Sequence, residues 1–261
     1  MIYLSKSKYC GLWQCPKIAW MKKYKPEELN LDGSVVSRME AGNEVGDLAM
    51  GLFGDYVEVT AYNNETLDLS KMIEDTKAEM QKGTPVICEA SFEYNGLYCA
   101  VDILKKEGDG WAIYEVKSST KHEDQKDDKP VYIADVAYQK YVLENCGVKL
   151  SGTYLVCLNG DYIFDGTLDI DRLFTISDIA EAVAIEEKTS LPICLLPKDC
   201  STPPPSRISI CPSAAKIRIS ADFGTIVQSI YRSNRYLTCT ECGSARRLNF
   251  TRRDLLHIRN Y

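Results

Sequence analysis

Three carboxylates, Glu89, Asp102 and Glu115, lie in a segment of alternating apolar and polar residues, and Lys117 follows two positions after the last of them. Carboxylate oxygens are the ligands that Mg²⁺ and Mn²⁺ prefer in proteins. A lysine beside such ligands is able to orient or activate a water molecule and to stabilise charge in a transition state. These residue types predict a metal site with an adjacent lysine, provided that the fold brings them together.

Two turn signals would bring the carboxylates together. Asn-Gly at 95–96 predicts a two-residue hairpin turn whose register places Glu89 opposite Asp102. The tetrapeptide 107–110 predicts a second hairpin, whose register places Asp102 opposite Glu115. Opposed side chains lie roughly 4.5–5.5 Å apart at Cβ, where like charges destabilise a sheet. We therefore expect a positive charge within this row.

The two faces of the predicted sheet differ in character. Because side chains alternate along a strand, Lys117 shares the face of Glu115. Val116 would point the other way, into a core with Cys88, Ala90, Phe92, Val101 and Ile103. One interpretation of the charged row is the solvated face of an antiparallel sheet. The other is a Mg²⁺ or Mn²⁺ site, which we favour because opposed carboxylates are normally avoided.

The elements that must position these residues follow from local patterns. Pro16 divides segment 5–24 into two short helices, and apolar residues recur at helical spacing in 34–53. A charged helix at about 67–82 precedes the three antiparallel strands. Further elements are a helix at 131–147, a buried strand at 152–159 and a helix at 177–190 with Ser177 as its cap. The order predicts a mixed α/β (α+β) fold with an antiparallel meander flanked by helices.

Composition narrows the class of protein. The chain has 261 residues, of which 45% are hydrophobic, and a net charge of −6, as expected for a soluble globular protein. No apolar run is long enough for a membrane span or a secretory signal, so we expect a cytoplasmic location and no membrane partner. Eleven cysteines in that setting favour buried thiols or metal ligands over disulfides. Only two histidines occur, which disfavours a His-rich zinc site.

The C-terminal segment has a different charge. In residues 196–261, Lys and Arg outnumber Asp and Glu by 11 to 4, and most of the basic residues are Arg. The change follows a proline-rich stretch, so we place a boundary between a domain at 1–195 and a basic, Arg-rich segment at 196–261. Two interpretations remain open: a surface that contacts nucleic acid, and a solvated surface of ordinary charge.

The sequence resembles the PD-(D/E)XK nuclease superfamily. The match is carried by Asp102 in "VDIL", by Glu115 and Lys117 in "YEVKSST", and by Gln139 in the following helix, "DVAYQKYVLE". The opening "LSKSKYCGLWQCPKIAW" also resembles the N-terminal Cys-Pro segment of the RecB-like branch, which includes CRISPR-associated adaptation exonucleases. The resemblance spans about residues 2–195 and implies a restriction-endonuclease-like core with a mixed central sheet.

The resemblance also implies roles for individual residues. Asp102 and Glu115, with the Val116 carbonyl, would hold Mg²⁺ or Mn²⁺, Lys117 would act in catalysis, and Gln139 would position the site. The chain departs from the branch at Gly46, where a metal-binding His is common, so Glu44 or Glu89 would replace that ligand. It departs again at Leu143, which stands where the branch usually has Tyr.

Some members of the branch carry a four-cysteine iron–sulfur cluster. Here Cys15 matches the first ligand position, and the later set would be Cys194, Cys200 and Cys211. Four thiolates are the number and type that a [4Fe-4S] cluster needs. The alternative is that these cysteines are buried apolar residues or free thiols.

The leading prediction is a metal-dependent DNA nuclease, more specifically an exonuclease, that acts in DNA repair or defence. The partners expected are DNA and a protein of DNA repair or defence. A second hypothesis is a catalytically inactive nuclease-fold module that binds nucleic acid or a protein. A third, a cysteine-metal redox or sensing protein, rests only on the number of cysteines. No Gly-x-x-x-x-Gly-Lys-Ser/Thr loop occurs, so nothing in the sequence predicts a helicase.

Overall fold

The computed structural model describes residues 4–15, 21–22, 26, 33–122 and 128–189. Within them lie nine strands and six α-helices. The strands are β1 (Leu4–Ser5), β2 (Val57–Glu58), β3 (Tyr62–Asn63), β4 (Thr66–Leu67), β5 (Val86–Tyr94), β6 (Leu97–Glu107), β7 (Gly110–Lys121), β8 (Leu150–Asn159) and β9 (Phe174–Asp178). The helices are α1 (Lys6–Gln14), α2 (Gly33–Met50), α3 (Leu69–Lys82), α4 (Pro130–Asn145), α5 (Ile170–Leu173) and α6 (Ala180–Thr189).

The central sheet is mixed, as the sequence predicted. Its strands run in the order β2-β5-β6-β7-β8-β9, and β1 pairs with β6 outside this path. Strands β5, β6 and β7 form an antiparallel meander, whereas β7 and β8 are parallel and are connected through α4. Such parallel pairs need a crossover connection, usually a helix. The α/β (α+β) class is therefore confirmed.

Both hairpins have the predicted register. Tyr94 pairs with Leu97 across a turn in which Asn95 and Gly96 both have positive φ, the conformation that favours Asn-Gly. Lys106 pairs with Trp111 in the second hairpin. The strand register that places Glu89 opposite Asp102, and Asp102 opposite Glu115, is therefore the register found in the structure.

Two boundaries differ from the prediction. Strand β7 continues to Lys121 instead of ending at Lys117, because its last residues pair with β8 after a register shift. The segment 174–178, which includes the predicted helix cap Ser177, is strand β9 and pairs with β8 antiparallel. Both segments are strand because they pair with β8, which is distant in sequence, and a local residue pattern does not reveal such pairing.

The sheet has an apolar core on each face. The first core contains residues of α1, α4 and α6, such as Tyr9, Tyr138 and Val183. The second contains Ala49 and Met50 of α2.

Among the described residues, no helix is long and apolar enough to cross a bilayer.

The predicted apolar partners of Val116 were partly wrong. Cys88 and Ile103 belong with it to the second core, but Ala90, Phe92 and Val101 lie in the first. The cause in β5 is Glu89, whose φ of 57° interrupts the alternation, so that Cys88 and Ala90 face opposite sides. A regular strand would place both on one face.

Candidate metal centre

The carboxylates of Asp102 and Glu115 meet on one face of the sheet. Both lie within hydrogen-bonding distance of the same ammonium group, that of Lys6 at the start of α1. Lys6 Nζ is 3.3 Å from Asp102 Oδ1 and 3.0 and 3.1 Å from the two oxygens of Glu115. The positive charge expected between the carboxylates is therefore present, and in this structure a side chain of the protein supplies it.

This face is covered and not solvated. Glu115 is 1% exposed, and α1 and α4 pack over it. The interpretation of the row as an ordinary solvated sheet face is thereby excluded. Asp102, Lys6 and Lys117 each keep about a fifth of their side chains exposed, so the cluster opens to solvent at these three residues.

Asp102 takes part in the backbone pairing of the sheet. Its Oδ2 accepts a hydrogen bond of 2.8 Å from the backbone N–H of Val116. The β6–β7 backbone pairs begin next to it, at Ile103 and Tyr114, so the Asp102 carboxylate continues the ladder beyond the last backbone pair. The contact fixes the distance between the Asp102 carboxylate and the backbone of β7. The role of the Val116 carbonyl stays a prediction.

Glu89 stands opposite Asp102, between the ladder pairs Cys88–Ile103 and Ala90–Val101. Its left-handed backbone is unusual for a residue other than Gly. Burial and the charge of Asp102 raise the pKa of Glu89 to about 7, which reflects the proximity of the two carboxylates. Glu89 thus completes the predicted row, whereas the Lys6 ammonium contacts Asp102 and Glu115.

Lys117 lies on the same face and contacts two carboxylates. Its Nζ is 2.5 Å from Glu115 Oε1 and 2.7 Å from Asp135 Oδ2. The predicted neighbour Gln139 donates from Nε2 to Glu115 Oε2 at 2.7 Å and to Asp135 Oδ1 at 3.1 Å. The structure therefore brings together Asp102, Glu115, Lys117 and Gln139, as the resemblance implied.

Sequence reasoning missed two members of this cluster, Lys6 and Asp135. Asp135 precedes Gln139 by four residues on α4, a spacing that puts both on one side of a helix and could have revealed it. Lys6 had no comparable signal, because its place depends on the pairing of β1 with β6.

The position of Lys6 is set by a well-anchored segment. Leu4 pairs in parallel with Leu97, and the Leu4 carbonyl accepts a hydrogen bond of 2.8 Å from the Tyr138 hydroxyl. The rings of Tyr9 and Tyr138 stack with centroids 4.8 Å apart. These contacts hold the first turn of α1 against β6 and α4, so that Lys6 reaches the carboxylates from above the sheet.

The three carboxyl groups of the cluster differ in the direction of their pKa shifts. Burial raises the pKa of Glu115, but the charges of Lys117 and Lys6 and the hydrogen bonds from Lys117 and Gln139 outweigh burial and hold this pKa far below its usual range. Burial and the charge of Glu115 raise the pKa of Asp102 to about 6. Burial and Glu115 likewise raise the pKa of Asp135. Asp102 and Asp135 are thus acidic groups whose charge is incompletely compensated.

The two lysines remain charged. Burial alone would lower the pKa of Lys6 and of Lys117, yet the carboxylates around them raise both values above the usual range. Two ammonium groups therefore face the three carboxylates of Asp102, Glu115 and Asp135, and one negative charge is left in excess.

The donor set suits a hard divalent cation. Asp102 and Glu115 already converge on a cation, and carboxylates are the ligands that Mg²⁺ and Mn²⁺ take. Gln139 Oε1 is buried and, within the described part of the chain, accepts no hydrogen bond, although the amide points into the cluster. No group of three or more His, Cys, Asp or Glu side chains among the described residues is arranged to hold a metal ion. The described residues thus provide two converging carboxylates.

The other predicted ligands lie away from this cluster or outside the described residues. Glu44 is exposed on α2, a helix whose buried residues Ala49 and Met50 belong to the second core, and its role stays a prediction. Cys15 is half-buried with a free thiol at the end of α1. Cys194, Cys200 and Cys211 lie outside the described residues, as does the segment 196–261. The iron–sulfur cluster therefore stays a prediction.

Comparisons with known proteins add little. No family model and no curated protein matches the chain. Among solved structures, the chain is similar to the one titled "Crystal structure of SSO0001", with a TM-score of 0.34 and 9% identity over 71% of this chain and 74% of that chain. A likeness at this level carries no argument about function.

Proposed function

We propose that the protein is a metal-dependent deoxyribonuclease that hydrolyses phosphodiester bonds, specifically an exonuclease, and that it works in the cytoplasm in DNA repair or defence. One observation carries the proposal: Asp102 and Glu115 converge on a single cation position, and the Lys117 ammonium lies beside Glu115. Two carboxylates and a lysine at this spacing, on adjacent strands, are the features on which the resemblance to PD-(D/E)XK nucleases depends.

Each residue has a distinct task in this proposal. Asp102 and Glu115 would hold Mg²⁺ or Mn²⁺, with Glu89 and the Val116 carbonyl as further candidate ligands, while Glu44 on α2 stays a prediction from sequence alone. A divalent cation held there would lower the pKa of a bound water and offset negative charge on the phosphate. Lys117 orients the attacking water and interacts with the phosphate, because a compact ammonium can reach both. Gln139 fixes the carboxylate of Glu115 through its 2.7 Å hydrogen bond.

The experiment compares end-labelled linear DNA with closed circular DNA, each incubated with protein in Mn²⁺ or in EDTA. We expect label to be released from linear DNA in Mn²⁺ only, while circular DNA stays intact. The Asp102→Asn variant purified in parallel is the control for a contaminating nuclease. Cleavage of circles would replace the exonuclease with an endonuclease, and intact DNA in every Mn²⁺ reaction would contradict the proposal.

The second candidate function is a nuclease-fold module that binds nucleic acid or a protein without cutting. The observation that favours it is the Lys6 ammonium, which already occupies the position between the two carboxylates that would otherwise hold metal. Binding of the same labelled DNA by the protein in EDTA, without cleavage when Mn²⁺ is added, would support this candidate.

A further inference from the structure

The position of Lys6 has a consequence for metal binding. Its ammonium lies 3.0 to 3.3 Å from oxygens of both Asp102 and Glu115, and these are the oxygens that the proposed function assigns to a divalent cation. Lys6 and Lys117 already share Glu115 Oε1, and a divalent ion at the oxygens that Lys6 contacts would bring a third cation to within ~4 Å of the Lys6 ammonium, a distance at which like charges in partly buried surroundings repel strongly. The ammonium and the metal ion must therefore compete.

We propose that Lys6 is a built-in competitor for the divalent cation: its ammonium contacts the carboxylates of both Asp102 and Glu115, and a metal ion would bind there by displacing it. This inference rests on the metal site of the proposed function and adds its regulation. The site is occupied by the protein's own cation until the concentration of metal is high enough to exchange with it.

The surroundings of Lys6 are suited to exchange. The Lys6 side chain is 18% exposed and that of Asp102 is 24% exposed, whereas the Glu115 side chain is 2% exposed, so the cluster is open to solvent on the side of Lys6 and Asp102. Lysine has a flexible four-carbon stem, which lets the ammonium move to solvent while the backbone stays in place. The backbone is held by β1 pairing and by the Tyr138 hydroxyl bond to Leu4.

Two further features favour a divalent ion over the ammonium. With Lys6 and Lys117 in place, the carboxylates of Asp102, Glu115 and Asp135 still carry one excess negative charge, which a divalent ion would neutralise better than one ammonium does. In addition, Gln139 Oε1 is buried and has no hydrogen-bond donor among the described residues, whereas buried polar atoms are normally paired, so the amide that donates to Glu115 keeps one acceptor unsatisfied.

The test measures Mn²⁺ affinity by calorimetry on the full chain in wild type, Lys6→Met and Lys6→Met/Asp102→Asn. Lys8→Met is the matched control, because Lys8 lies on the same helix and is exposed. We expect Lys6→Met to bind Mn²⁺ at least about tenfold more tightly than wild type, since it removes a competing charge near ~4 Å. The double variant should lose this gain, and Lys8→Met should match wild type.

Thermal unfolding provides a second readout and guards against a folding defect. Without Lys6, the carboxylates repel each other, so Lys6→Met should have a lower Tm in EDTA and a larger rise in Tm on adding Mn²⁺ than wild type. If Lys6→Met does not fold, Lys6→Gln replaces it, because glutamine keeps an N–H donor without the charge.

The outcomes separate this inference from the proposed function. Equal Mn²⁺ affinity in wild type and the Lys6 variant, weaker affinity in the variant, or no binding by either would overturn the exchange. Tighter binding by the variant without any DNA cleavage by wild type would support the exchange and contradict the nuclease. DNA cleavage by wild type, together with equal Mn²⁺ affinities in wild type and the Lys6 variant, would support the nuclease and contradict the exchange.

Discussion

Two ionic clusters lie on opposite faces of the same β6–β7 hairpin, and they differ in charge balance. On the second-core face, Lys105 Nζ is 2.9 Å from Glu107 Oε1, and the Tyr114 hydroxyl donates to the same oxygen at 2.7 Å. One ammonium meets one carboxylate there. Although burial by itself raises the pKa of Glu107, the hydrogen bonds from Lys105 and Tyr114 lower it overall, so the ionised form is satisfied.

On the first-core face, the cluster of Asp102, Glu115, Asp135, Lys6 and Lys117 is more buried and has one carboxylate too many. There the pKa of Asp102 is raised to about 6 by burial and by the charge of Glu115. The comparison teaches that a salt bridge by itself does not indicate a binding site. What distinguishes the first cluster is that two ammonium groups face three carboxylates at a position partly open to solvent.

The largest effect is expected from the two carboxylates that are proposed to hold the metal ion, Asp102 and Glu115. Asp102→Asn keeps an oxygen that can accept the Val116 N–H but removes the charge. Mn²⁺ affinity should fall by more than the roughly 10- to 100-fold that loss of an outer-shell partner costs, and cleavage should be abolished. Glu115→Gln should behave in the same way.

The measurement is calorimetry with Mn²⁺ beside the labelled-DNA assay, with circular dichroism to show that the fold is intact. A folded Asp102→Asn protein with the Mn²⁺ affinity of wild type would remove the distinction between the two clusters, because the excess charge would then have no role in binding.

The predictability of this site from sequence has a clear physical limit. Register was predictable because turn chemistry at Asn95-Gly96 and at 107–110 fixes which residues stand opposite each other. Local patterns therefore sufficed to place Glu89, Asp102 and Glu115 in one row. The resemblance added Gln139 from the helix that follows.

The parts that were missed depend on contacts between segments distant in sequence. Lys6 reaches the cluster only because β1 pairs with β6, a contact that spans more than ninety residues. Strand β9 exists because it pairs with β8, and the shift at Glu89 depends on a left-handed backbone that propensity does not favour at Glu. Tertiary context decides such features.

The second largest effect concerns Lys117. Lys117→Ala should retain Mn²⁺ binding, since Asp102 and Glu115 remain, while the cleavage rate should fall by about 100- to 1000-fold, the range for removing one electrostatic group from a transition state. Lys129→Ala is the matched control, because both ammonium groups lie 5.3 Å from the Tyr132 ring centroid but, in the described structure, Lys129 contacts none of Asp102, Glu115 and Asp135. If Lys117→Ala cleaved DNA at the wild-type rate, Lys117 would have no role in catalysis and would only form ion pairs, as Lys105 does.

A smaller effect is expected from Asp135, which acts through its neighbours. It accepts hydrogen bonds from Lys117 and Gln139 and thereby positions both. In Asp135→Asn, kcat should fall by roughly 10- to 100-fold, as for an outer-shell partner, with KM for DNA and the Kd for Mn²⁺ unchanged. A change in KM or Kd without a change in kcat would assign Asp135 to binding and not to positioning.

The smallest effect, and the sharpest check of the comparison, comes from the balanced cluster. Lys105→Met keeps an apolar stem and removes the ammonium, which also lies 4.7 Å from the Phe53 ring centroid. The free energy of unfolding should fall by about 1 kcal/mol, since partly exposed ion pairs contribute ~0–1 kcal/mol and a cation–π contact about 0.5–1 kcal/mol. Urea unfolding measures this loss.

Mn²⁺ affinity should be unchanged in Lys105→Met, because Lys105 contacts neither Asp102 nor Glu115 in the described structure and lies on the other face of the sheet. Lys6→Met and Lys105→Met each remove one positive charge from the same hairpin region, so the overall change in net charge is identical. If both variants tightened Mn²⁺ binding equally, a general rise in negative potential would explain the gain. A gain confined to Lys6→Met would instead require the local exchange between its ammonium and the metal ion.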